Sequence, residues 1–94
     1  MQYERFKQFI LRSNKLPFVN LCLKRGQEIE SAYGHSIDEL VRDDTAMCQT
    51  LVDLEWKIGK SDLDNYQNTL RHYYEMIHGH KFPGCGYGNK RLKD

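Results

Sequence analysis

The stretch from Ser61 to Gly79, SDLDNYQNTLRHYYEMIHG, constrains this chain most, because it reads as one complete helix with both ends marked. Ser61 stands where an N-cap residue would, and Asp64 three residues on gives the pattern of a capping box, with Asp for the usual Glu. Asp62 and Asp64 put negative charge in the first turn, where the helix dipole favours it. Leu63, Tyr66, Leu70, Tyr73, Tyr74 and Ile77 recur at spacings of three and four, and Gly79 follows as a helix stop. Such a stripe must be buried against other elements, and the elements before it read as helices too.

Tyr3, Phe6, Phe9 and Ile10 form one face of a first helix over residues 2–12, which Ser13 and Asn14 break. Pro17 is placed as the first residue of a second helix. Its stripe is Phe18, Cys22, Gly26, Ile29 and Tyr33, and Gly34 stops it. Gly26 costs roughly 1 kcal/mol against Ala in a helix, so its place on the stripe predicts the close approach of another helix. Ser36 with Glu39 makes a capping box before Ile37, Leu40 and Val41. Asp43, Asp44 and Thr45 break the chain and cap the next helix, which carries Ala46, Met47, Leu51, Leu54 and Ile58 and ends at Gly59. No segment alternates apolar and polar residues long enough for a strand. The expected fold is all-α, a small bundle of four to five helices in residues 1–79. An irregular Gly/Pro-containing basic tail, flexible and arm-like, follows in residues 80–94.

No apolar run approaches the roughly 20 residues that cross a bilayer, and the first residues mix Arg and Lys through the apolar ones, unlike a signal peptide. The three cysteines, Cys22, Cys48 and Cys85, are odd in number and widely spaced, a poor disulfide framework. Free thiols, a reducing cytoplasmic compartment and no membrane partner are therefore expected. Cys22 and Cys48 fall on apolar stripes and read as small core residues. Trp56, beside Lys57, reads as half-buried; an exposed Trp56 would mark a partner site.

Charge is nearly balanced at +1, yet it is unevenly placed. Residues 1–25 hold six cations (Arg5, Lys7, Arg12, Lys15, Lys24, Arg25) against Glu4, residues 26–64 hold ten acids against three cations, and residues 65–94 turn basic again. A basic–acidic–basic chain can fold so that its two ends make one positive face.

Sites of chemistry are harder to find. His78, His80 and Cys85, with Cys48 as a fourth, are zinc-type ligands, but no Cys-x-x-Cys pair anchors them, and no metal or cofactor is expected. Asp38, Glu39, Asp43 and Asp44 lack the order of a calcium loop and read as two helix N-termini. Gly84, Gly86 and Gly88 are not a phosphate loop, since no strand precedes them and no helix follows. His80 and Cys85 sit on a glycine-rich segment that would not pre-organise a nucleophile and base. A non-catalytic protein is expected.

The final helix, with Asn65, Tyr66, Leu70, Arg71, Tyr73 and Tyr74 before Ile77, His78 and Gly79, resembles the closing helix of the N-terminal SAM-like, or core-binding, domain of tyrosine recombinases and phage integrases. There this helix typically reads tYxxaLrxfyxfl. Ser36 to Leu40 looks like the family's short entry to a middle helix, and the likeness spans Phe18 to Gly79. It implies a compact helical bundle that grips duplex DNA by its backbone phosphates. Carried over by position, the implied contacts are Lys57, Lys60, Asn65, Asn68, Arg71 and His72. Lys24 and Arg25 of the basic flank and Lys90 and Arg91 of the tail join them as cations suited to phosphate. The recombinase catalytic domain has no counterpart in the residues after Gly79, and Asp62 and Asp64 stand beside the implied contact turn. The alternative is a protein-interaction module, such as a phage- or mobile-element-encoded inhibitor or adaptor, using the acidic middle and exposed aromatics on a basic partner.

Overall fold

A computed structural model describes residues 1–85. They form five helices: α1 (Tyr3–Leu11), α2 (Leu16–Tyr33), α3 (Ile37–Leu40), α4 (Asp44–Ile58) and α5 (Leu63–His78). The described residues contain no strand. α2 and α5 each pack against all four of the other helices. Leu70, Tyr73 and Tyr74 of α5 are buried, with Leu63, Tyr66 and Ile77 partly covered at the ends of the stripe. Phe6 and Ile10 of α1, Val19, Cys22, Leu23 and Ile29 of α2, and Met47 and Leu54 of α4 close around it.

Several helix ends follow their local chemistry. The Ser36 hydroxyl accepts the Glu39 N–H at 3.4 Å, and the Asp43 carboxylate accepts the Ala46 N–H at 2.7 Å, so both expected caps form. Gly34 and Gly79 stop α2 and α5 in the left-handed region, at φ 70° and 82°, where a Cβ would be strained. α2 begins one residue earlier than expected, at Leu16, which puts Pro17 second in the helix, still among the orphan donors of the first turn.

Three sequence expectations need correction. Ser61 does not cap α5; Asp62 takes the boundary position at φ 59° with no side-chain cap, and the helix begins at Leu63. Only residues 59–62 join α4 to α5, so the chain must reverse in a tight turn, closed by the Leu63 N–H on the Lys60 carbonyl at 3.2 Å. Asp tolerates the left-handed conformation that this turn needs. Trp56 is not half-buried but 87% exposed. It lies two residues from the core-facing Leu54, about 200° around the helix. Gly26 is closely approached by another helix, α3, and by the Met1 side chain: a Cβ there would stand 3.2 Å from Ile37 Cδ1 and 3.0 Å from the Met1 sulfur.

The third correction concerns the cysteines. Cys48 and Cys85 are paired as a disulfide, so Cys48 is not a free core thiol. After Gly79 the chain turns back over α5 and brings Cys85 to α4 across a separation of 37 residues. Closing a loop of that length restricts the unfolded chain by about 4 kcal/mol on a chain-entropy account. Cys22 is the buried, free cysteine that its stripe position implies, and burial pushes its thiol up. With one pair oxidised, the thiols no longer argue for a reducing compartment. Among the described residues, no helix is long and apolar enough to cross a membrane.

A polar network ties the start of the chain to the centre of the bundle. The Tyr73 hydroxyl accepts the Gln2 N–H at 2.7 Å and donates to Asp38 Oδ1 at 2.8 Å. The Gln2 amide adds a donor to Asp38 at 2.9 Å. Glu30 Oε2 accepts both the Met1 ammonium, at 2.6 Å, and the Ile37 N–H, at 2.9 Å. Burial pushes the Asp38 carboxyl up, but the bonds from Gln2 and Tyr73 and the nearby ammonium outweigh it, and its pKa lies below the ordinary 3.8. Burial, aided by Asp38, raises the Tyr73 phenol.

Replacing Tyr73 with Phe keeps the ring packing on Phe6 but strips Gln2 and Asp38 of a partner. It is expected to lower stability by about 1–3 kcal/mol, read by urea denaturation. A lowered carboxyl pKa stabilises the fold above the unfolded value and loses that contribution as pH falls through the folded one. Y73F, which moves Asp38 back toward 3.8, should therefore show a shallower loss of stability on acidification than the parent.

Candidate nucleic-acid interface

The carboxyl half of α5 runs beside α1, and the chain folding back after Gly79 flanks it on the other side. Between them lie three adjoining clefts of about 540, 380 and 290 Å³. Arg5, Phe9, Arg12 and Met76 line the first, Asn68, Arg71, His72, Lys81 and Phe82 the second, and Phe9, Arg12, Asn14, His72 and Lys81 the third. Glu75 borders all three, which makes them one groove; among the described residues its walls hold four cations and a single carboxylate. Arg5 and Arg12 come from the first basic block of the chain, Arg71 and Lys81 from the last. Two cations from each basic block thus line one groove.

The cations differ in how far they are committed. Arg5 donates to the Met76 carbonyl at 3.4 Å and to the Gln2 side chain at 3.1 Å, near the negative end of the α5 dipole. Arg12 lies over the Phe9 ring at 5.7 Å, and Arg71 donates to Asn68 Oδ1 at 3.1 Å. Among the described residues neither Arg12 nor Arg71 pairs with a carboxylate within 4.0 Å, so their remaining donors can meet an anion. His72 is half-buried edge-on to Phe18, 6.1 Å between ring centres. Burial lowers its pKa, Glu75 opposes that and Lys81 reinforces it, which leaves a neutral imidazole that can donate one hydrogen bond.

Of the residues named from sequence, Asn68, Arg71 and His72 share this groove. Lys57, Lys60 and Asn65 do not. Lys57 Nζ lies 5.5 Å over the Tyr33 ring, Lys60 Nζ is 3.8 Å from Glu55, and the Asn65 amide donates to Asp62 at 3.4 Å. Lys57 is in the last turn of α4, Lys60 in the α4–α5 turn and Asn65 in the first turn of α5, six residues, or ~9 Å of helix rise, from Arg71. Lys24 is exposed on α2, while Arg25 is partly covered and close enough to Cys22 and Tyr66 to affect both. Lys90 and Arg91 lie outside the described residues, as does most of the segment read as a flexible arm. Its first part is held: Phe82 packs on Tyr74 at 5.0 Å and Cys85 is tied to Cys48.

Arg5, Arg12 and Lys81 were missed as site residues. The seven-residue spacing of Arg5 and Arg12 puts both on one face of α1, a signal present in the sequence. Nothing local marks Lys81. The zinc-type ligands are otherwise engaged: His78 Nε2 bonds the Val41 carbonyl at 2.7 Å, and the two cysteines hold each other.

A second surface stands apart on α4, where Trp56 is 87% and Val52 56% exposed one helical turn apart. Asp53 and Glu55 neighbour them along the helix.

Compared with models of protein families, with curated proteins and with solved structures, the chain matches none.

A histidine held below its ordinary 6.5 contributes stability above that value and loses it as pH falls through it. The His72 ring is expected to titrate below 6.5 by NMR, and His72→Asn to flatten the loss of stability as pH falls from 6.5 through the folded pKa.

Proposed function

We propose that this chain is a small non-catalytic helical module that binds duplex DNA through its backbone phosphates. Arg12, Arg71 and Lys81 serve as the phosphate contacts, and Asn68 and His72 as neutral hydrogen-bonding partners. The observation that carries this reading is the convergence of cations from both ends of the chain on one groove with one carboxylate. The likeness of α5 to the closing helix of integrase core-binding domains supports it and supplies Asn68, Arg71 and His72. The contacts move down the helix, however, away from Lys57, Lys60 and Asn65. That shift also removes a conflict, since Asp62 and Asp64 at the other end of α5 would repel a phosphate.

Fluorescence anisotropy of a labelled duplex tests this. Three phosphate contacts predict affinity falling roughly forty-fold between about 50 and 200 mM salt. Arg12→Glu and Arg71→Glu should each weaken binding by about tenfold or more. Lys57→Glu and Lys60→Glu should change it little. No binding at low salt, or an equal loss from the Lys57 and Lys60 variants, rules the groove out.

A protein-interaction role is favoured by one separate observation, the exposure of Trp56 beside Val52. Trp56 is the single tryptophan of the chain, so its emission reports on that face alone. If the groove is the DNA site, duplex should raise anisotropy without shifting Trp emission. A blue shift on adding duplex would place the DNA on α4.

A further inference from the structure

We propose that the Cys48–Cys85 disulfide is a redox switch that controls one wall of the groove, so that the oxidised chain binds phosphate-bearing ligands more tightly than the reduced one. This rests on the groove being the DNA site.

α5 ends at Gly79, and residues 80–85 run back over it with no helix or strand of their own. Lys81 and Phe82 of this segment form the wall facing Asn68, Arg71 and His72. Lys81 is also the cation common to the two clefts that contain His72. Little besides the disulfide keeps the wall in place. Phe82 and His80 lie edge-on to Tyr74, at 5.0 and 5.7 Å between ring centres. The His80 ring bonds only its neighbour, the Lys81 carbonyl, at 3.0 Å. Among the described residues, 81–85 make no hydrogen bond to the helices. Pro83 has no N–H to give, and Gly84, at φ 102°, takes a backbone conformation that a side chain would strain. The covalent tie to α4, three residues beyond Phe82, therefore fixes where Lys81 stands.

Both cysteines are only partly buried, so an attacking thiolate can reach them. In the exchange a thiolate of a cellular dithiol reductant attacks one sulfur, the Cys48–Cys85 bond breaks, and the leaving cysteine takes up a proton. The reductant's second thiolate then displaces the mixed disulfide and frees the other cysteine. Two electrons pass to the protein and the reductant becomes a disulfide; oxidation by a small disulfide runs the same steps in reverse. On reduction the described segment keeps only the contacts of Phe82 and His80 with Tyr74, and the groove loses its hold on Lys81.

The full chain, oxidised and after dithiothreitol, is compared by amide 15N relaxation and by duplex anisotropy, with circular dichroism as the check that the helices persist. The expected result is a fall in backbone order confined to residues 80–85 on reduction, weaker duplex binding, and a salt slope smaller by about one. Oxidised Lys81→Gln should bind like the reduced parent, and reduction should weaken it no further. This variant leaves the disulfide intact, so it also tests the wall if reduction loosens more than the segment. Unchanged order at 80–85, or a further loss of binding on reducing K81Q, overturns the switch. A fall in order with equal duplex affinity in both forms also overturns it and leaves the groove standing. Absence of duplex binding by either form defeats the groove reading, and with it control of DNA binding.

Discussion

The Tyr73 hydroxyl holds the place where three helices meet. It receives the Gln2 N–H just before α1 and gives its own proton to Asp38 of α3, while its ring is fully buried on α5 beside Phe6. A buried hydroxyl costs stability unless both of its roles are filled, and here they are filled by groups from distant parts of the chain. Glu30 of α2 completes the arrangement by accepting the Met1 ammonium and the first N–H of α3. Apolar packing alone lets helices slide and rotate at little cost; hydrogen bonds of fixed direction do not. They set the depth and angle at which α1 lies on α5, and so the distance between the cations that the two helices carry.

The groove is a consequence of that docking. Arg5 and Arg12 project from α1 toward the half of α5 that bears Arg71, and Glu75 between them is too small a counter-charge to neutralise the set. Arg5 has a second task at the carboxyl end of α5, where it bonds the Met76 carbonyl and offsets the negative end of the helix dipole. The acids of the middle segment lie elsewhere. Asp43 caps α4, Asp38 and Glu30 serve the network, and Asp44 accepts the hydroxyl of Tyr74, whose pKa it raises to about 12. Four acids of the block thus serve as hydrogen-bond acceptors while remaining partly or fully exposed. α4 also offers apolar side chains: Trp56 and Val52 on a face turned from the core.

The disulfide belongs to the same economy of a small domain. A chain of 94 residues buries a limited core, and a covalent loop of 37 residues adds to it by restricting the unfolded state. The same bond joins the segment after α5 to α4, so one device both supports the bundle and builds the wall that carries Lys81. Stability and the shape of the groove are coupled there through Cys85.

The sequence by itself determined the helices and most of their ends. Stripes at three- and four-residue spacing, the caps at Ser36 and Asp43, and the stops at Gly34 and Gly79 act within a turn or two of the chain, so the residues that decide them are neighbours in the sequence. It also showed two basic ends and placed Asn68, Arg71 and His72 on the polar side of α5. The tertiary structure alone decided the rest. Asp62 replaced Ser61 at the start of α5 because a four-residue reversal had to deliver Leu63 to the core. Trp56 faces outward because the core side of α4 is taken by Met47, Thr50 and Leu54. Cys48 meets Cys85, Tyr73 meets Asp38 and Gln2, and Lys81 joins Arg12 only once helices far apart in the chain are docked. A periodic pattern specifies which side of a helix is buried but not which partner covers it. That choice depends on the fit of whole faces and on hydrogen bonds spanning 35 to 71 residues, which no local spacing encodes.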